Sequence, residues 1–201
     1  MQLNKIRVVQ NFQTITRDRW GDAQAETLTE ELTTRVEALR RPYADAPKAK
    51  MRHLDRMILP TIAGYEIFRR ELPDAEALEA ARAMVLTGVP EMAETMRKIF
   101  RIPGLYRLVP RLFAKVADKK FGTRAGFRAK KYEVEHAWRI DMTACPYWDA
   151  CREHGCPELC TAFCDSDDLA YDNLHPKLCW HRTKTLGRGG DCCDFSMSVK
   201  P

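Results

Sequence analysis

No apolar run in this 201-residue chain is long enough to cross a bilayer as a helix. Its start, Met1-Gln-Leu-Asn-Lys-Ile-Arg-Val-Val-Gln, has no apolar core of the kind a secretory signal needs, so a cytoplasmic chain is expected. Cysteine is missing from the first 144 residues, and no Cys-x2-Cys pair occurs anywhere. That pair is the commonest knuckle of structural zinc and iron–sulfur sites, and its absence weakens the metal signal. No repeat or low-complexity tract is present, which sets aside solenoid and fibrous architectures. Between Arg97 and Lys131 acids are nearly missing: twelve Lys/Arg face the single Asp118, a local charge of +11. The whole chain carries +5, so everything outside that block sums to −6.

What is present is ordinary globular material, 45% hydrophobic and 30% charged, enough to bury a full core. The reading is α+β: N-terminal helices packed on a small antiparallel sheet that a C-terminal hairpin closes. A helical region, 1–125, and a cysteine-rich α/β region, 130–201, are expected to form one compact unit. Ala23–Arg41 is rich in helix formers and stops at Pro42. Pro47 opens a second helix, in which Met51, Leu54, Met57, Ile58, Ile62, Tyr65 and Phe68 recur at steps of three and four. Pro60 is expected to kink it by removing a hydrogen bond. Asp74 reads as the N-cap of a third helix, broken near Gly88-Val89-Pro90 and resuming to Phe100. A fourth, from Pro103-Gly104 to Lys120, repeats Arg107, Arg111, Lys115 and Lys119 every fourth residue, opposite Leu105, Leu108, Leu112, Phe113 and Val116.

At Lys131 the period changes from helical to two. Tyr132, Val134, His136, Trp138, Ile140 and Met142 alternate with polar neighbours, predicting one strand over Tyr132–Thr143 with Trp138 and Ile140 buried and Glu133 and Glu135 outward. A helical stretch, Tyr147–Asp172, is interrupted by Gly155 and Pro157. Leu178–Leu186 and Cys192–Lys200 alternate again around Gly187-Arg188-Gly189-Gly190-Asp191, a turn suited to positive φ, and predict a hairpin.

All eight cysteines fall between Cys145 and Cys193, and in a reducing compartment such residues are thiols, metal ligands or catalytic groups. The plainest reading makes them small buried hydrophobes. Cys160 and Cys164 share a helix face at i, i+4. Cys164 stands out because Phe-Cys-Asp-Ser-Asp-Asp runs from it into acids. Acids alone raise a thiol's pKa, so activation needs a cation, for which Arg182 and His181 are available. Arg182 follows Leu178 and Trp180 on an otherwise apolar strand face, where it either snorkels to water or enters a polar pocket to grip a carboxylate. His136, on the apolar face of its strand, is a core histidine or a substrate contact.

These residues carry a resemblance. Gly155-Cys-Pro157-Glu158-Leu159, Phe163-Cys164-x-x-Asp167 and Arg182-Thr183-x-Thr185-Leu186-x-x-Gly189-Gly190-Asp191-x-Cys193-Asp194-Phe195 form the ordered set. With Ile58-Leu59-Pro60-x-Ile62-Ala63-x-Tyr65 upstream, that set resembles the L-2-amino-thiazoline-4-carboxylic acid hydrolase family, from about His53 to Val199. The closing hairpin is more distantly similar to four-vinyl-reductase small-ligand domains. The resemblance implies a hydrolase of sulfur amino acid metabolism that opens a cyclic isothiourea to N-carbamoyl-cysteine, acting on a C–N or C–S bond. It implies Cys164 as nucleophile and Asp167 or Glu158 as amidinium holder and proton carrier. Arg182 would bind the substrate carboxylate, with Thr183 or Thr185 assisting, and Cys193, Asp194 and His136 would complete the pocket.

Rival readings stay open. The excess cysteines support a ligand- or metal-binding module without turnover, with Cys160, Cys164, Cys193 and His181 holding zinc or an iron–sulfur cluster; the hydrolase reading needs no cofactor. The partner expected is a small molecule, not nucleic acid, since no recognised motif accompanies the basic block. That block reads first as a core-packed helix with a solvated face, and otherwise as a membrane-surface or protein contact. No oligomerisation signature is visible.

Overall fold

The computed structural model describes residues 2–200, and it shows an α+β protein with a small antiparallel sheet. The helices are α1 (Arg7–Trp20), α2 (Asp22–Arg40), α3 (Lys48–His53), α4 (Leu59–Glu71), α5 (Asp74–Leu86), α6 (Val89–Phe100), α7 (Val109–Lys120), α8 (Pro146–Glu153) and α9 (Cys160–Tyr171). The strands are β1 (Arg128–Tyr132), β2 (Ala137–Ala144), β3 (Leu178–His181) and β4 (Cys193–Val199). The chain divides into two compact units. One takes the residues up to Thr87 together with Ala150–Ala162, and the other takes Gly88–Asp149 and the chain from Phe163 onward.

The first unit is helical. Phe12, Leu32, Leu54, Ile58, Ile62, Phe68 and Met84 are fully buried in it, and the Phe12 and Phe68 rings sit 5.2 Å apart. Gly64 permits the close approach of α4 to its neighbours: a Cβ there would stand 2.6 Å from Met84 Sδ and 3.2 Å from Phe12 Cδ2. Pro60 does not act as a simple kink. The turn before it, Leu54–Ile58, is a π-helix, in which the Leu59 N–H reaches back five residues to the Leu54 carbonyl. The wider turn accommodates Pro60, which has no N–H to donate, and lets one helical path run from Lys48 to Glu71. Pro73, not Asp74, precedes α5, and Asp74 occupies its first turn.

The second unit holds the sheet, in the order β1-β2-β4-β3, every pair antiparallel. β3 and β4 form the expected C-terminal pair, with Leu178 opposite Val199 and Trp180 opposite Met197. α7 lies on β2 and β4. Between them Tyr106, Val109, Leu174, Leu178 and Met197 form the core, flanked by Phe113, Trp138, Tyr171 and Trp180. Ile140 is buried beside Phe195 on β4. Trimming it with Ile140→Val should lower stability by about 1 kcal/mol, measured by denaturant unfolding.

Three expectations need correction. The period-two segment Tyr132–Thr143 is two strands: Glu133–His136 make a turn, and Lys131 pairs with Ile140 across it. Alternation alone does not reveal that reversal, because a hairpin preserves period two on both arms. His136 therefore stands in the turn at φ 56°, its side chain 80% exposed beside Glu135, rather than on a buried strand face. β3 ends at His181 instead of Leu186, because Asp194 takes the Thr183 and Lys184 N–H groups at 2.9 and 2.8 Å in place of ladder partners. On α7, Val109 and Pro110 are buried and Phe113 packs against the core, whereas Leu112 and Val116, at the margin next to the basic residues, are exposed, as is Leu108 in the turn before the helix.

Candidate active site

α9 presents Cys164, Asp167, Asp168 and Tyr171 at i, i+3, i+4 and i+7, one stripe of a helix. Cys164 lies within this helix rather than at its end, so the acids after it are helical too. The sheet supplies the counterpart by continuing its alternation: after Leu178 and Trp180, Arg182 points to the same face, its guanidinium carbon 5.4 Å from the centre of the Phe195 ring.

The Arg182 side chain is only 3% exposed and lies among this chain's own oxygens. Nη2 donates to the Cys164 carbonyl at 2.9 Å and to Asp168 Oδ2. Nη1 lies 3.6 Å from Asp167 Oδ2, within ion-pair range and outside hydrogen-bond range. Trp180 Nε1 donates to the other Asp168 oxygen at 2.9 Å. The guanidinium is thus engaged through Nη2, while its buried Nη1 has no hydrogen-bond partner. It ties α9 to the sheet and sets the position of the acidic pair.

Asp167 has the most informative electrostatics. Burial raises its pKa, Arg182 pulls it down and the neighbouring Asp168 pushes it up, with a net rise to about 7. The side chain nevertheless keeps 39% of its surface. Such a carboxyl is desolvated yet still reachable, and an acid titrating near neutrality can both take and give a proton. A stability consequence follows. Unfolded, Asp167 returns to an ordinary value near 3.8, so between about pH 4 and 7 the folded state binds more protons. Its contribution to stability is present at low pH and is lost as pH rises through 7. The melting temperature of wild type relative to Asp167→Asn should therefore fall across that window in a thermal-melt pH series, and a flat difference would remove the raised pKa.

Two further thiols lie near Cys164. Cys145 precedes α8, and the N–H groups of Tyr147 and Trp148 are directed at its sulfur. Burial outweighs those donors and pushes the thiol up to about 12, with Cys193 and Cys164 adding to the rise. Burial likewise pushes Cys193 to about 11, although its sulfur accepts the Leu186 N–H at 3.3 Å. Both are neutral thiols at physiological pH. Tyr147 is raised by burial and by the nearby Cys145 and Asp167, and Tyr171 to about 12 by burial and Asp167, so both phenols stay protonated. Cys145, Tyr147, Asp168 and Tyr171 were not singled out in the sequence. The α9 spacing would have revealed Asp168 and Tyr171; Cys145-Pro146, at a strand-to-helix junction, is a weaker signal.

The other expected residues are placed as follows. Asp194 is occupied by Thr183, through its N–H and hydroxyl, and by the Lys184 N–H; burial alone would raise its pKa, but these donors hold it below the usual range. Thr185 is buried and its hydroxyl has no hydrogen-bond partner. The turn after it depends on glycine: Gly189 has φ 82°, and a Cβ on Gly190 would stand 2.9 Å from the Thr185 carbonyl. Glu158 belongs to the helical unit and accepts the Tyr65 hydroxyl at 2.8 Å. Cys160 is buried in that same unit, and His181 is exposed at the end of β3. None of the eight cysteines is in a disulfide, and among the described residues no group of three or more His, Cys, Asp or Glu has metal-holding geometry.

The helices and the four-stranded sheet define an α+β protein, with the Cys164 thiol and the Asp167 carboxyl one helical turn apart on α9. Residues 51–197 match the model of the L-2-amino-thiazoline-4-carboxylic acid hydrolase family, and the chain belongs to that family, a hydrolase family by its description. No curated protein and no solved structure matches the chain significantly.

Proposed function

We propose that this chain hydrolyses a cyclic isothiourea of the 2-amino-thiazoline-4-carboxylate type, with Cys164 as nucleophile and Asp167 as proton carrier. The observation that carries the reading is the carboxyl of Asp167, raised to about 7 and one helical turn from Cys164. The Cys164 proton passes to Asp167 as the sulfur adds to the ring carbon that bears the exocyclic nitrogen. The ring C–S bond then breaks; its electron pair goes to the ring sulfur, which takes the proton from Asp167. Water, deprotonated by Asp167, next adds to the carbon now held by Cys164. That C–S bond breaks with its electron pair going to the Cys164 sulfur, which takes the proton back from Asp167. The site is restored, with one water consumed in all. The product is an N-carbamoyl-cysteine-type urea with a new thiol.

Arg182 acts as a positioning residue, holding Asp168 and the Cys164 carbonyl so that the stripe keeps its geometry. The reading assigns no step to Glu158, whose carboxylate is engaged by Tyr65. The test is incubation of purified protein with 2-amino-thiazoline-4-carboxylate, following thiol release and a mass gain of one water. Time-dependent thiol release supports the reading; saturable binding with no release shows a ligand-binding module instead.

A further inference from the structure

The exposed apolar residues of α6, α7 and their connector remain outside the chemistry. Met92, Ile99, Ile102, Leu108, Leu112 and Val116 are each between 43% and 57% exposed. They are not scattered singly. On α7 and the turn before it they follow cations as Arg107-Leu108, Arg111-Leu112 and Lys115-Val116, recurring every fourth residue. Val109 and Phe113, on the adjoining strip of the same helix, pack into the core of the second unit. Leu112 and Val116 form the half-exposed margin between that strip and the basic residues. Among the described residues, Arg101, Arg111, Lys115 and Lys119 have no carboxylate within ion-pair distance, while Asp118 is taken by Lys131.

We infer that this face docks reversibly on an anionic phospholipid surface. Apolar side chains at one-turn spacing sink below the headgroups, and the long Arg and Lys stems beside them snorkel to the phosphates. Charge selects this occupant. The span from Arg97 to Lys131 holds twelve basic residues and one acid, so a second copy of the same face would bring like charges together. An anionic leaflet instead concentrates such a segment, at about 1 kcal/mol for each basic residue near the surface. Among the described residues no helix is long and apolar enough to cross a membrane, so the contact is peripheral.

The experiment is co-sedimentation of the full chain with vesicles of phosphatidylcholine alone or mixed with phosphatidylserine. The expected result is pelleting with the mixed vesicles only, reversed by high salt. Arg111→Gln and Lys115→Gln should each weaken partitioning roughly fivefold, the equivalent of about 1 kcal/mol. Leu112→Ser with Val116→Ser should weaken it further while leaving the melting temperature unchanged, since both side chains are exposed. The same double variant should release thiol from the thiazoline substrate as wild type does, so failure here and failure of the hydrolase reading are separable. No pelleting with mixed vesicles, or equal pelleting by the serine variant, overturns the inference. So does a dimer on gel filtration that the serine variant dissociates, which would assign the face to a second copy of the chain.

Discussion

Cys164→Ser should lower turnover of 2-amino-thiazoline-4-carboxylate by at least about 10³-fold while leaving the unfolding midpoint close to wild type. A serine hydroxyl is a far poorer nucleophile than a thiol or thiolate at neutral pH, and its proton is far harder to remove. The two other thiols near the stripe do not substitute, because burial keeps Cys145 and Cys193 protonated. Asp167→Asn should cost about 10²- to 10⁴-fold and should remove the limb of the pH–rate profile near 7. Mass spectrometry of the wild type during turnover should show an adduct on the peptide containing Cys164. Retention of near-normal turnover by Cys164→Ser sinks the covalent route, leaving Asp167 to activate water directly. Loss of activity with a matching loss of fold, seen by circular dichroism, would show Cys164 to be structural.

The second large effect falls on stability. Arg182→Ala removes a cation that is almost wholly enclosed and leaves Asp167 and Asp168 facing each other across its place. Losing one partner of a buried ion pair costs about 3–5 kcal/mol. Both carboxylates here retain roughly half their contact with water, so the lower end, about 3 kcal/mol, is expected from denaturant unfolding with an unchanged slope. The Cys164 carbonyl and Trp180 lose part of their network at the same time. Arg182→Lys should recover part of this stability, since an ammonium supplies the charge but cannot make the forked contacts. It should lower kcat more than it raises KM, because a positioning residue acts through the geometry of Asp167. The opposite split, a raised KM with kcat unchanged, would return Arg182 to direct recognition of the substrate carboxylate.

Much of the fold was legible because it rests on periodicity and punctuation. Helical spacing and prolines located α2, α4, α6 and α7 closely, and alternation with a glycine-rich turn located β3 and β4 as a pair. Cys164 and Asp167 were legible as a local motif, and the structure brings both to Arg182. The failures share a cause. His136 follows the alternation of Tyr132–Met142 yet lies in a turn, since both arms of a hairpin keep that period. Leu112 and Val116 read as core from amphipathicity, but Val109 and Phe113 already fill the side that meets the sheet.

The amino-acid order by itself determined the α+β class, the helix boundaries set by proline and glycine, and the concentration of thiols, acids and arginine in the last third. These depend on residues close together in the chain, where spacing carries the physical information. Tertiary structure alone decided what the groups do to one another. Whether Arg182 meets solvent, substrate or Asp168 depends on side chains of α9 reaching Trp180 and Arg182, contacts between residues separated in sequence. The value near 7 for Asp167 has the same origin: desolvation and the fields of Arg182 and Asp168 exist only after the chain has closed around the carboxyl.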